Sequence, residues 1–415
     1  MLKLRWETEF KKTEMGEIPR DWEKSEIGSF MVIRSGKRPK EVKVYGFYEV
    51  WGANGFMGYT DDTDHLENRE VLITGRVGTL GNVYYIKKNS NVWLSDNVLI
   101  LYPNDQEINL KFVFYHLLTR KEDIINLDVG STQPLITQNG LKNLIIPLPP
   151  LPEQSRIATV LSWFDDLIEN KKRQNEILEK SAMAIFKNWF VDFEPFRACP
   201  EQERGNYEFV YNEELGREIP KGWEVSKTTR LIEYNHFFSL KKSEAYAFIE
   251  MKDVSSNSLV CEYNFKQFSG SGVKYYGGDT LMARITPSLE HGKTAFVWFI
   301  SEKEKGFGST EFFVLHPKEP YLKEFVYLLA KNDDFREAAI NSMSGTSGRQ
   351  RADINALKNY IIPIPPPPIL QSFHSLVEPL FQKIILNQKQ IMTLRKIKDT
   401  LLPLLVFGKL RVEEI

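Results

Sequence analysis

Between residues 157 and 189 apolar side chains return at alternating steps of four and three: Ile157, Leu161, Phe164, Ile168, then Lys171, Asn175, Leu178, Ala182, Ile185 and Trp189. That spacing keeps one stripe of a helix turned to a partner and predicts a coiled-coil seam. Moving 216 residues along gives the same register in Phe373, Val377, Leu380, Ile384, Asn387, Ile391, Leu394, Lys398, Leu401 and Leu405. Two long helices are expected, over 153–192 and 369–408. Lys171, Asn175 and Asn387 interrupt the seams, which costs stability but fixes register. Pro379 and Pro403 predict a kink or a late start in the second helix. Elsewhere VLITGRV, NVYYI, NVLILY, TAFVWFI and EFFVL alternate between Gly and Asn punctuation and read as short strands. LKFVFYHLLTRKEDI and YLKEFVYLLAKNDDF have helical spacing, so the globular parts are α+β.

The chain is written twice. EMGEIPRDWE at 14–23 returns as ELGREIPKGWE at 214–224, and LKNLIIPLPPLPEQ at 141–154 returns as LKNYIIPIPPPPILQ at 357–371. VLITGRVG with Arg76 is echoed by TLMARITP with Arg284, and SDNVLILYP by STEFFVLHP. A period near 200 residues is too long for a solenoid, so each copy is a domain followed by a helix. The expected order is domain one at 1–152, helix one, an exposed linker at 193–212, domain two at 213–368 and helix two. If the helices pair they must run antiparallel, and about 37 helical residues make a spacer of roughly 55 Å. Two separate amphipathic helices, each packed on its own domain, are the alternative. PLPPLP and PIPPPP fit stiff polyproline II junctions, with SH3-type ligands as the other reading.

Composition bounds the rest. The 415 residues carry 26% charged and 42% hydrophobic side chains, which excludes disordered, collagen-like and membrane classes. A net charge of −1 provides no global attraction for nucleic acid, so any DNA binding must come from local patches. Cys199 and Cys261 make neither a disulfide framework nor a metal cluster, and no signal core opens the chain, which points to the reducing cytoplasm.

Catalytic motifs are missing. Gly292-Lys293-Thr294 resembles the end of a phosphate loop, but Pro287 stands where the first glycine belongs. His65, His116, His236, His291, His316 and His374 lack paired ligand spacing, so no metal is expected. Glu-x-Lys at Glu41–Lys43 and Glu250–Lys252 reads as solvated charge; a self-sufficient metal-dependent endonuclease built on it is the competing function, and a coiled-coil protein adaptor a third. What the domains do carry is basic, glycine-rich loops. RSGKRPKEVK holds Arg34, Lys37, Arg38, Lys40 and Lys43 against Glu41, and is followed by the turn bearing Asn54. Domain two offers Lys241, Lys242, Lys274, Arg284, Lys293 and SGTSGRQR with Arg349 and Arg351. Lys and Arg neutralise phosphates, while Arg and Asn can read guanine and adenine edges. The candidate DNA contacts are Lys37, Arg38, Lys40, Asn54, Arg76 and Thr79 in domain one, and Lys274, Arg284, Thr286, Lys293, Arg349 and Arg351 in domain two.

Taken together, FKKTEMGEIPRDWE and its copy, YEVWGANGFMGYTDD, LITGRVGTLGNVYYI, DTLMARITPSLEHGKTAFV, SGTSGRQR and the LKNxIIPxPP junctions make the chain resemble the specificity subunits of type I restriction-modification systems over its whole length. The resemblance implies two target-recognition domains, each reading one half of a bipartite asymmetric DNA sequence, and paired helices that set the gap. It also implies two modification subunits carrying S-adenosylmethionine, and restriction subunits that use ATP and Mg2+ to move and cut DNA. The chain itself would be non-catalytic and hold no cofactor. One departure is visible: PPLPEQ in the first junction becomes PPPPILQ in the second, with Ile369 and Leu370.

Overall fold

The computed structural model describes residues 3–104, 108–197, 207–346 and 348–414. The chain divides into two compact units, Met1–Ile168 with Thr393–Ile415, and Glu169–Met392. Each contains part of both long helices, Leu151–Phe190 and Pro367–Val406.

In the first unit one antiparallel sheet has the strand order Val83–Ile86, Val71–Gly75, Val98–Pro103, Met31–Ser35. A second runs Gly55–Thr60, Tyr48–Gly52, Val92–Leu94, Leu66–Glu67, with its middle pair parallel. The second unit repeats both plans. Ile232–Tyr234, Phe312–Pro317, Thr280–Ala283 and Thr294–Phe296 form one sheet, and Asn264–Gln267, Ala245–Ile249, Lys305–Gly308 and Val273–Tyr276 the other, again with a parallel middle pair. The duplication seen in the sequence is therefore a duplication of strand order, and the fold is α+β. The helical stretches are shorter than their spacing suggests. LKFVFYHLLTRKEDI divides into Leu110–Leu118 and Lys121–Ile125, and the second copy into Lys323–Lys331 and Asp333–Asn341, where Asn332 caps the later helix by accepting from Phe335 N–H.

Within each unit the long helices pack against each other in antiparallel fashion. In the second unit Lys171 Nζ reaches Gln390 at 2.6 Å, Asn175 meets Asn387 at 2.9 Å, and Phe190 stacks edge-on against Phe373 at 4.7 Å. In the first, Lys398 Nζ lies 2.5 Å from Asp165. Ile157, Leu161, Ile168, Val377, Ile384 and Ile391 are buried, while Phe164, Leu178, Ile185, Leu380, Leu394 and Leu401 are half-buried. The buried stripe is wider than a two-helix seam. Phe186, Phe190 and Phe381 turn to the aromatic core of the second unit beside Phe325, Tyr327 and Trp223, so each helix serves its domain as well as its partner.

Three expectations need correction. The second helix starts at Pro367 and is continuous through Pro379 and Pro403. The polyproline junctions shrink to Pro149–Pro150 and Pro365–Pro366: Pro147 and Pro363 sit in strands, and Pro152, Pro367 and Pro368 in first helical turns, where the missing N–H has no intrahelical partner to lose. The stretch 193–212 is not an exposed linker at its described ends. Phe193 and Phe196 are buried against Trp223, and Phe209–Asn212 pairs with Arg217–Pro220; Cys199 lies outside the described residues.

The first unit is closed by the end of the chain. Lys3–Trp6 pairs antiparallel with Leu410–Glu414, and Leu405, Val406, Leu410 and Val412 complete the core around Trp22 and Phe112. Arg411 bonds to Glu153, Glu7 and Asp21, and Trp22 Nε1 donates to Glu153 at 3.1 Å. In the second copy Ile369 stands where Glu153 stands in the first, and Trp223 Nε1 is buried without a hydrogen-bond partner. Gly408, at φ +68°, ends the second helix so close to Pro19 and Trp22 that a Cβ would lie 2.4 Å from Pro19 Cγ.

Candidate nucleic-acid interface

In each unit an arginine follows a fully buried strand and is clamped by two neighbours. Arg76 N–H donates to Asn97 O at 2.8 Å, and Arg76 O accepts from Ile136 N at 2.9 Å. Arg284 N–H donates to Glu311 O at 2.9 Å, and its carbonyl accepts from Ala352 N at 2.8 Å. The clamps bring in loops 129–136 and 344–352, which next bond through Gly78 N to Pro134 O at 3.1 Å and through Thr286 N to Gln350 O at 3.0 Å. Loop 344–352 was legible from its arginines. Its counterpart, with Gly130, Ser131, Thr132 and Gln133, was missed because it has no charge. Its position just before the repeated LKN element was the available signal.

The second unit's version forms a cleft of about 520 Å3 lined by Arg284, Gly345, Thr346, Arg349, Arg351 and Asp353. The Arg284 guanidinium lies over the Phe313 ring at 5.0 Å, and its buried Nε has no hydrogen-bond partner. Arg349 is exposed, whereas Arg351 makes a two-pronged pair with Glu311 at 2.6 and 2.9 Å, which lowers the Glu311 carboxyl below its ordinary value. Three predicted contacts are occupied by the fold. Lys274 Nζ donates to Phe238 O at 2.6 Å, Lys293 Nζ donates to Met251 O at 2.9 Å, and Thr286 is buried with its hydroxyl accepting from Gln350 N at 3.1 Å.

In the first unit Lys37, Arg38, Asn54 and Thr79 are exposed and Arg76 is half-buried. Asn54 sits in the turn joining Tyr48–Gly52 to Gly55–Thr60. The basic run is less positive than its sequence window suggests. Lys40 lies 3.6 Å from Asp62 and 3.5 Å from Asp64, and Lys43 lies 2.9 Å from Asp61 and 3.6 Å from Glu41. Glu250 likewise pairs with Lys252 at 2.8 Å, so both Glu-x-Lys elements hold internal ion pairs. Large exposed aromatics lie in the same segments: Tyr45 and Phe47 beside the basic run, and Phe237, 91% exposed, with Lys274 Nζ 5.0 Å above its ring. Charge counting passed over them.

The histidines also differ from expectation. His116 is a core residue beside Phe112 and Phe407, with burial pushing its pKa down to about 3. His236 and His316, expected to be solitary, converge on Asp279. Burial raises the Asp279 carboxyl and lowers His236, while the hydrogen bond to Asp279 raises His316. The expectation of solitary histidines is thus overturned for His236 and His316.

Both copies of this geometry coincide with a known domain. The type I restriction modification DNA specificity domain matches residues 19–180 and 220–396. The chain belongs to this family. It is 35% identical to the type I restriction enzyme MjaIX specificity subunit of Methanocaldococcus jannaschii, covering 100% of this chain and 99% of that protein. It is 23% identical to the HindI specificity subunit of Haemophilus influenzae over 77% of this chain and 82% of the relative. The crystal structure of the type I S subunit from M. genitalium shares the fold, with a TM-score of 0.55 and 20% identity over 95% of this chain and 96% of that one. Specificity subunits are the non-catalytic members of type I restriction-modification systems. Among the described residues no helix is long and apolar enough to cross a membrane.

Proposed function

We propose that this specificity subunit directs a type I restriction-modification complex to a bipartite, asymmetric DNA sequence, each globular domain reading one half. The observation that carries the reading is the twofold occurrence of a clamped arginine, Arg76 or Arg284, beside a Gly-Ser/Thr-rich loop, within two matches to one DNA specificity domain. Arg76, Asn54 and Thr79, supported by Lys37 and Arg38, would face one half-site; Arg284 and Arg349 would face the other. Exposed Gly-Ser/Thr backbone suits phosphate N–H contacts, and the exposed Arg349 side chain suits base edges. The recognition domains are 1–152 and 213–368. The helices at 153–192 and 369–408 set the half-site spacing and dock two modification subunits, while restriction subunits complete the complex. S-adenosylmethionine, ATP and Mg2+ belong to those partners, and the cytoplasm is where their DNA substrate lies.

The test is co-expression with the modification partner followed by long-read methylation mapping. One bipartite adenine-methylation motif is expected, and Arg349→Ala should relax one half of it while leaving the other unchanged. A continuous motif, or none from an assembled complex, refutes the reading. In binding assays Lys37→Ala should weaken all sequences alike and reduce the log–log salt slope by about 1.

A further inference from the structure

The second unit gathers three metal-capable side chains from distant parts of the chain. His236 follows strand Ile232–Tyr234, Asp279 opens strand Thr280–Ala283, and His316 stands on Phe312–Pro317. One donor atom from each lies within 4.8 Å of the others. His236 Nε2 is 3.3 Å from Asp279 Oδ2, and His316 Nδ1 is 2.6 Å from Oδ1. Asp279 is fully buried and the His236 side chain 7% exposed, yet His236 Nε2, aimed at the carboxylate, completes no hydrogen bond. An orphaned imidazole nitrogen in a nearly closed site costs free energy unless something fills its lone pair or takes its proton. The carboxylate is held by Tyr276 N–H at 2.7 Å, and the Phe238 and Tyr276 rings wall the His236 side at 5.2 and 5.1 Å.

We propose that His236, Asp279 and His316 bind one divalent transition cation of the Zn2+ class. Two imidazoles and a carboxylate suit a borderline cation. Ligand bonds of about 2.0–2.2 Å in a tetrahedron place donor atoms roughly 3.4 Å apart. His236 Nε2 already stands 3.3 Å from Asp279 Oδ2, while His316 Nδ1 faces the other carboxylate oxygen and would exchange that hydrogen bond for a metal bond as the three donors, now within 4.8 Å of one another, draw in around the ion. The 33% exposure of His316 leaves the fourth position to water. The ion would clasp the edge strand, its neighbour and the turn entering the third strand, at the end opposite Arg284. It is a staple for the sheet that presents the arginine. The first unit has Tyr102 at the place of His316 and Val71 at that of Asp279, so uptake is one ion per chain, not two.

The test uses the full-length, tag-free chain, stripped with a chelator and titrated with Co2+ as the spectroscopic probe. Expected are visible d–d bands saturating at one Co2+ per chain, loss of those bands on adding Zn2+, and a thermal midpoint raised by about 5 °C with Zn2+ in hundredfold excess over its Kd. His236→Gln and His316→Gln should each abolish the bands, whereas His291→Gln, at an exposed histidine, should retain them. Folded wild-type protein, judged by circular dichroism, that takes up no stoichiometric Co2+ overturns the proposal, as do bands that survive either substitution. If His236→Gln fails to fold, the part-exposed His316→Gln decides.

Discussion

Replacing Arg411 by Met tests the claim that the end of the chain locks the first unit. Arg411 donates five hydrogen bonds to Glu153, Glu7 and Asp21, and its guanidinium lies over Trp22, the central carbon 5.6 Å from the ring centroid. The side chains of Glu153 and Glu7 are 4% and 6% exposed, so Met keeps the apolar stem but strands buried carboxylates. Glu7 retains Arg5 at 3.7 Å and the N–H groups of Thr8 and Glu9; Glu153 retains the Trp22 indole N–H. The penalty therefore concentrates on Glu153, and breaking one buried pair costs about 3–5 kcal/mol. For a unit of this size that is a fall in midpoint of roughly 6–20 °C. Urea unfolding by circular dichroism measures the loss, and adding Glu153→Gln should recover at least half of it, because Gln is neutral and still accepts from Trp22. The pH dependence has a defined sign. The N–H of Glu9, aided by Arg411, holds Glu7 below its ordinary 4.5, and Arg411 holds Asp21 below 3.8. Their contribution is present above the ordinary values and lost as pH falls through the lower folded ones, so the gap between wild type and variant should narrow from pH 7 to about pH 3. A loss under about 1 kcal/mol at pH 7, or a gap that widens in acid, refutes the lock.

Three further outcomes are expected. Asn175→Leu with Asn387→Leu removes a buried amide pair and should raise the unfolding midpoint while loosening helix register, seen as broadened cross-helix spin-label distances; unchanged distance widths would count against a register role. Gly408→Ala forces a side chain into left-handed backbone against Pro19 and should cost about 1–3 kcal/mol in urea melts, whereas a neutral result would mean the turn relaxes freely. Joining the chain ends and reopening it between Arg197 and Tyr207 should preserve the thermal midpoint, because Lys3 already pairs with Glu414 and Phe193 and Phe196 stay in place. Met1 and Ile415 themselves lie outside the described residues. A permutant recovered only as aggregate would contradict the closed arrangement.

The duplication and the helices were legible because their signal is periodic: a seam shifted by 216 residues keeps its apolar character even where individual residues change. Position-by-position chemistry was legible only in part. Lys40 and Lys43 look basic within their own window, but the facing turn brings Asp61, Asp62 and Asp64 to them. Lys274 and Lys293 look like free cations until the fold supplies carbonyls for their ammonium groups. His236, Asp279 and His316 have no local spacing at all, because strand order, not sequence interval, makes them neighbours. Proline-rich runs misled in the opposite direction, since the same residues suit polyproline II, strand edges and first helical turns.

The way the long helices are divided also bears on inheritance. The borders of the compact units fall inside helices, at 168/169 and 392/393, not in the loops between domains. A DNA exchange bounded at those two points would carry a whole unit with every helical residue its core requires, including Phe186, Phe190, Phe373 and Phe381. The resident unit would keep Leu405, Val406, Leu410 and Val412. On the proposed reading, in which each domain reads one half of the target, a lineage would acquire a new half-specificity in one recombination step without repairing either hydrophobic core.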